Sequence, residues 1–245
     1  MTKKEIGKLI KQYILPTHSN YYLHKNILYK PFGGDLFIKG YSFGAGGKNP
    51  DAMHVSYFIT PLFVVEDTIS ISYSQELYYA YREGLFNLKR SRNQVWDVRI
   101  ASRDDAFKLI NTIMDEQGEP ALAKFHTAKN AYNAMKKGRK DNIRIYEACA
   151  YTSVLFGSRR KQDTMLKWLI REAKKGTQHD YIMAIRERTE LLLSRSTQEE
   201  RIGVLKEFAN ITISNVKLSH PMPFTITSFA DPHGNTYSGG QPEKC

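Results

Sequence analysis

Gly46, Gly47 and Lys48, in the stretch FGAGGKNPDAM at residues 43–53, stand in the order of a phosphate-cradling loop. Such a loop needs a glycine, four residues, Gly-Lys and then a hydroxyl, so that successive N–H groups wrap the phosphates and the hydroxyl holds magnesium. With Gly47 and Lys48 as the anchor, the first glycine position is Ser42 and the hydroxyl position is Asn49. Pro50 follows, and the chain enters MHVSYFIT, which alternates like a strand, so the helix N-terminus that supplies most of the anion attraction is missing. The expectation is a glycine-rich connection between two antiparallel strands, its glycines supplying positive φ. It exceeds the usual hairpin length of about two to five residues, and Lys48 at its tip is a candidate partner contact.

Other chemistry is thinly represented. The chain has no Cys-x-x-Cys or His-Glu-x-x-His, and its seven histidines fall singly along it. Cys149, in the apolar stretch EACAYTSVLF, reads as a buried inert thiol. Asp104 with Asp105, and Glu199 with Glu200, open helical patterns, where negative charge complements the helix dipole. Asp231 and His233, in DPHGN, read as a turn. No catalytic, metal-binding or cofactor-binding residue is assigned, no cofactor is expected, and the reading leans away from an enzyme.

The basic clusters carry more. YYAYREGLFNLKRSRNQVW interleaves tyrosines, Phe86 and Trp96 with Arg82, Lys89, Arg90 and Arg92, and Lys136, Lys137, Arg139 and Lys140 follow at a helix end. Cations beside flat rings suit single-stranded nucleic acid, which offers phosphates to charge and bases to ring faces. Arg159, Arg160 and Lys161 form a third group. The same letters also suit helix C-termini and core strands.

The elements that must position these residues read as an α+β fold. Thr2 and Glu5 have capping-box spacing, and Ile6, Leu9, Ile10, Tyr13 and Ile14 recur on one helical face until Pro16. YYLHKNILY, DLFIKGYSF, MHVSYFIT, TISISYS and QVWDVRI predict an antiparallel meander of four or five strands. Ser102 with Asp105 opens a helix, and EPALAKFHTAKNAYNAMKKG predicts another. Beyond residue 143, IRIYEACAYTSVLF, KQDTMLKWLIREAKKG, DYIMAIRERTELLLSR and TQEERIGVLKEFANITI predict four helices joined by short links, hence antiparallel neighbours. The expected architecture is an antiparallel meander sheet with an N-terminal helix and covering helices, followed by a C-terminal antiparallel helical bundle. The regions are 1–140, 141–218 and a strand-turn tail at 219–245, which one domain could contain.

The net charge is +11, with 21 Lys/Arg against 13 Asp/Glu in residues 1–140 and 15 against 12 in the remainder. Such a balance draws anionic partners. Two cysteines imply no disulfide framework, and the longest apolar run, ITPLFVV, is far short of the roughly 20 residues a spanning helix needs. The expectation is a cytoplasmic protein with no membrane partner. The order of FIKGYSF, HVSYFITPLF, VWDV, DDAFKLINTI and PALAKF over residues 3–130 resembles a bacterial family of uncharacterised function found among toxin-immunity proteins. The leading expectation is a bacterial or phage-derived, non-enzymatic interaction protein that recognises a macromolecular partner, a protein first, and the resemblance implies a role in defence or toxin antagonism. The chain departs from that pattern at its glycine-rich loop and in its basic charge, which does not suit a basic nuclease toxin as target. The alternatives are a nucleic-acid-binding protein using the basic and aromatic clusters, or an enzyme whose site is not visible as a motif.

Overall fold

The computed structural model describes residues 2–45, 53–82, 85–91, 94–99, 102–137, 142–175, 179–219, 227–230 and 236–238, with 45, 78–82, 85–91, 94–99, 227–230 and 236–238 described through backbone alone. Helix α1 (Lys3–Leu9) starts where the capping box places it: the Glu5 N–H donates to Thr2 Oγ1 at 3.2 Å and the Thr2 N–H to the Glu5 carboxylate at 2.6 Å. A π turn (Ile10–Ile14) extends the helix, and Ile6, Ile10 and Ile14 are fully buried along it.

Seven strands then form one antiparallel meander in sequence order: β1 (Tyr22–His24), β2 (Ile27–Phe32), β3 (Phe37–Ala45), β4 (Met53–Pro61), β5 (Tyr73–Arg82), β6 (Leu85–Ser91) and β7 (Gln94–Arg99). The meander is longer than the four or five strands expected, for two reasons. YYLHKNILY is a hairpin rather than one strand, turning at Lys25 with φ 55°. The basic stretch after Tyr78 is itself β5 and β6, paired from Tyr79 opposite Leu88 to Arg82 opposite Leu85. TISISYS, expected as a strand, mostly is not one. Residues 66–72 make no ladder, and the Thr60 hydroxyl donates to the Ser70 carbonyl at 2.5 Å. Ala45 pairs with Met53, so the glycine-rich segment joins two antiparallel strands and leads into no helix. A second small sheet pairs β8 (Thr227–Ala230) with β9 (Thr236–Ser238), and residues 231–235, where a turn is expected, lie outside the described residues, Asp231 and His233 among them.

The pleat of the middle strands feeds two cores. Leu28, Tyr41, Phe43, Val55 and Tyr57 meet α1 and helix α2 (Arg103–Ile113). Tyr29, Ile38 and Phe58 meet the C-terminal helices on the other side. Helices therefore cover both faces, because the second face of β4 turns apolar at Phe58 after the exposed His54. Gly40 lies between these layers against β2, where a Cβ would come within 2.0 Å of the Leu28 carbonyl oxygen.

After α2 a π turn (Met114–Gly118) leads directly into α3 (Glu119–Ala123), with Pro120 in its first turn. The long helix expected over EPALAKFHTAKNAYNAMKKG is two. Thr127 caps α4 (Ala128–Met135) by accepting from the Asn130 N–H, and the chain turns between the pieces at Lys124 and Phe125. The four later helices fall as expected: α5 (Ile143–Val154), α6 (Arg159–Lys175), α7 (Asp180–Ser194) and α8 (Gln198–Val216), the last with a full capping box of Thr197 and Glu200. No helix among the described residues is long and apolar enough to cross a membrane.

A buried ionic group fixes α5 against α7 and the chain after β4. Glu147 on α5 is fully buried. It accepts from Arg188 on α7 at 2.9 and 3.2 Å and from Arg144 at 3.3 Å, and Arg144 reaches back to Glu66 at 3.3 Å. Burial pushes the Glu147 carboxyl up against the pull of both guanidiniums. Removing one partner of such a pair leaves an uncompensated buried charge, at about 3–5 kcal/mol, whereas replacing both by groups of similar volume is far milder. Arg188→Ala is expected to lose stability in that range, and the double variant Glu147→Gln with Arg188→Met much less, as read by urea unfolding.

Candidate nucleic-acid interface

Of the residues singled out from sequence, Lys136 and Lys137 are fully placed: both are exposed at the C-terminal end of α4. Arg82 ends β5, and Lys89 and Arg90 lie on β6. Lys48, Arg92, Arg139 and Lys140 lie outside the described residues. The strand pairing gives the direction in which one of these clusters runs. β6 runs antiparallel to β5 with Leu88 opposite Tyr79, so the backbone at Lys89 and Arg90 runs back toward the Gln75 end of β5. At that same end lies a groove of about 320 Å³ between the sheet and the α3–α4 turn, and Lys137 is on its rim.

The groove is a short row of rings with cations and amides around it. Tyr57 and Tyr73 have centroids 6.4 Å apart, and Tyr73 meets Phe125 edge-on at 5.9 Å. Tyr57 is almost wholly buried and donates its hydroxyl to Gln75; Tyr73 and Phe125 are half-buried. Lys124, Lys137 and Asn133 stand exposed at the edges, and Asn130 is half-buried between them. Neither lysine has an acidic partner within ion-pair distance among the described residues. Rings at two depths with cations and amides at the lip give one cavity that can hold a flat group by its face, its edge and an attached negative charge.

The wall carrying Lys124 and Phe125 is held by charge under the sheet. Lys39, half-buried on β3, donates from Nζ to the Leu122 carbonyl at 2.9 Å and the Phe125 carbonyl at 2.7 Å, satisfying two acceptors at the end of α3. One turn earlier, Glu119 accepts from Lys30 at 3.0 Å, from Tyr41 at 2.8 Å and from Tyr21. Burial raises both phenols, so they remain proton donors. Burial also pushes the Glu119 carboxyl up, but bonds from Tyr21, Lys30 and Tyr41, with the Lys30 charge, hold it below the usual 4.5. The fit is close: at Gly118 a Cβ would come within 2.5 Å of the Tyr41 hydroxyl.

Of the groove's residues, sequence reasoning marked only Lys137. The missed signal was Thr127 three residues before Asn130, a cap that breaks the long helix and exposes Lys124 and Phe125 at a corner. The other expectations sort simply. Cys149 is buried and its thiol is pushed by burial up to about 11, an inert state. Asp104, Asp105, Glu199 and Glu200 occupy first helical turns. Among the described residues no three His, Cys, Asp or Glu side chains are grouped to hold a metal ion. Compared with models of known families, with curated proteins and with solved structures, the chain matches none.

Because the Glu119 pKa is lowered on folding, its contribution to stability is present above the unfolded value of about 4.5 and is lost as pH falls through the folded value. Glu119→Gln is therefore expected to cost about 1–2 kcal/mol at neutral pH, solvent screening included. The gap to the unsubstituted protein should close as pH falls below about 4.5 in urea titrations.

Proposed function

We propose that the protein binds single-stranded nucleic acid in the groove beside Tyr73 and Phe125. The observation that carries this reading is the pairing of half-buried rings that line the groove with Lys124 and Lys137 at the end of the sheet toward which Lys89 and Arg90 also run. Bases stack on the ring faces, lysines meet the phosphates, and Asn130 and Asn133 offer amides to base edges. The net charge of +11 steers such a ligand from a distance.

The broader reading, a macromolecule-binding protein, gains less support for a protein partner. Large exposed apolar side chains among the described residues are Tyr181, Met183, Leu191 and Ile211. On α7 the first three point in different directions, so they form no contiguous anchor of the kind that dominates protein interfaces.

The test is fluorescence anisotropy with a labelled single strand of about 12 nucleotides, across a salt series. Affinity should fall linearly in log–log form with salt, and Lys124→Ala with Lys137→Ala should reduce the slope by about 1.4. Phe125→Leu keeps apolar bulk and removes the ring; it should lose about 1–3 kcal/mol of binding. No binding at low ionic strength, or unchanged affinity in these variants, would overturn the reading.

A further inference from the structure

Helix α6 carries a second surface, far from the groove in sequence and built differently. Its buried face is Gln162, Leu166, Leu169 and Ala173. Opposite, at helical spacing, stand Arg160, Thr164, Lys167, Arg171 and Lys174, all exposed. From Arg160 to Lys174 the stripe is about 21 Å long at the helical rise. The acidic side chains of α6 leave it unopposed: Asp163 is taken by Arg201 at 2.6 Å and Arg159 at 3.3 Å, and Glu172 by Lys175 at 2.7 Å. On neighbouring α7, Arg186 and Glu190 neutralise each other at 2.7 Å. A depression lined among the described residues by Thr164, Lys167, Ile170 and Arg171 follows the stripe.

We propose that this stripe binds the phosphate backbone of duplex nucleic acid, as a contact separate from the groove. Charge complementarity supplies the attraction, and straightness suits a rigid partner: about 21 Å of duplex presents roughly six phosphates on each strand. The stripe has no ring on which an unpaired base could stack, because the one tryptophan of α6, Trp168, packs edge-on against Tyr146 at 4.7 Å. An anionic membrane is a poorer match. Helices that lie in a bilayer surface insert apolar side chains beside their cations, and the apolar residue beside these, Ile170, is half-buried. The contact is blind to sequence, since it meets phosphates and not base edges.

The decisive experiment compares three probes on the full-length protein: a labelled duplex of mixed sequence, a single strand, and vesicles containing phosphatidylserine. Lys167→Glu with Arg171→Glu changes two exposed positions, and an unaltered thermal unfolding curve checks that the fold is intact. Duplex affinity should fall by at least about tenfold and its salt slope by about 1.8, while single-strand binding stays within about twofold. Lys124→Ala with Lys137→Ala should do the reverse, so the two sites can fail separately. The proposal is overturned if no duplex binds at low salt, or if the α6 variant leaves duplex affinity unchanged. It is equally overturned if that variant removes single-strand binding to the same degree, or if vesicles bind and duplex does not.

Discussion

Strand β4 has to be apolar on both sides, and the rest of the molecule is arranged around that demand. From Tyr57 to Pro61 every residue is buried, so helices must arrive from each face. The helices divide the work: α1, α2 and α3 cover one side, and the later helices cover the other. Since α3 and α4 are consecutive yet attend different cores, the chain must turn between them, and the turn at Lys124 and Phe125 forms one wall of the groove. The site is thus a by-product of the crossing from one layer to the next, pinned by Lys39 from beneath.

Much of this was legible in the sequence. The caps at Thr2 and Thr197, the alternation of Met53, Val55, Tyr57 and Ile59, and the four late helices are local signals, and each needs only its own neighbours to be read. What local pattern did not reveal depends on partners distant in sequence. Ile69 and Ile71 alternate as a strand would, but both are drawn partly into the core shared with the bundle, and the strand forms only from Tyr73. The Pro120 helix and the helix after it read as continuous because apolar spacing persists across the break; only the Thr127 cap betrays it. The groove itself joins residues from Tyr57 to Lys137, and no window of sequence holds them together. Lys137 was marked for its charge, whereas Tyr73 and Phe125 had no feature to separate them from ordinary core rings.

The charge balance acquires meaning once the carboxylates are located. Glu147, Glu66, Glu119 and Asp163 face internal guanidinium, ammonium or phenol groups, and Glu5 and Glu200 cap helices. These six carboxylates are thus committed to holding elements together, and many lysines and arginines are left to solvent. Other carboxylates, among them Asp104, Glu116, Glu187 and Glu207, stay exposed beside those cations, so the surface field reflects the formal excess of +11 itself.

The buried group around Glu147 has a consequence on another timescale. Neither Glu147 nor Arg188 can be exchanged alone without stranding its partner in an apolar interior, so the two positions form a single unit of inheritance. Lineages of this fold would keep both or replace both, passing through a poorly folded intermediate if the steps are taken one at a time. In an alignment of descendants, positions 147 and 188 should vary in concert although 41 residues separate them, and that record would register the bond without any structure being consulted.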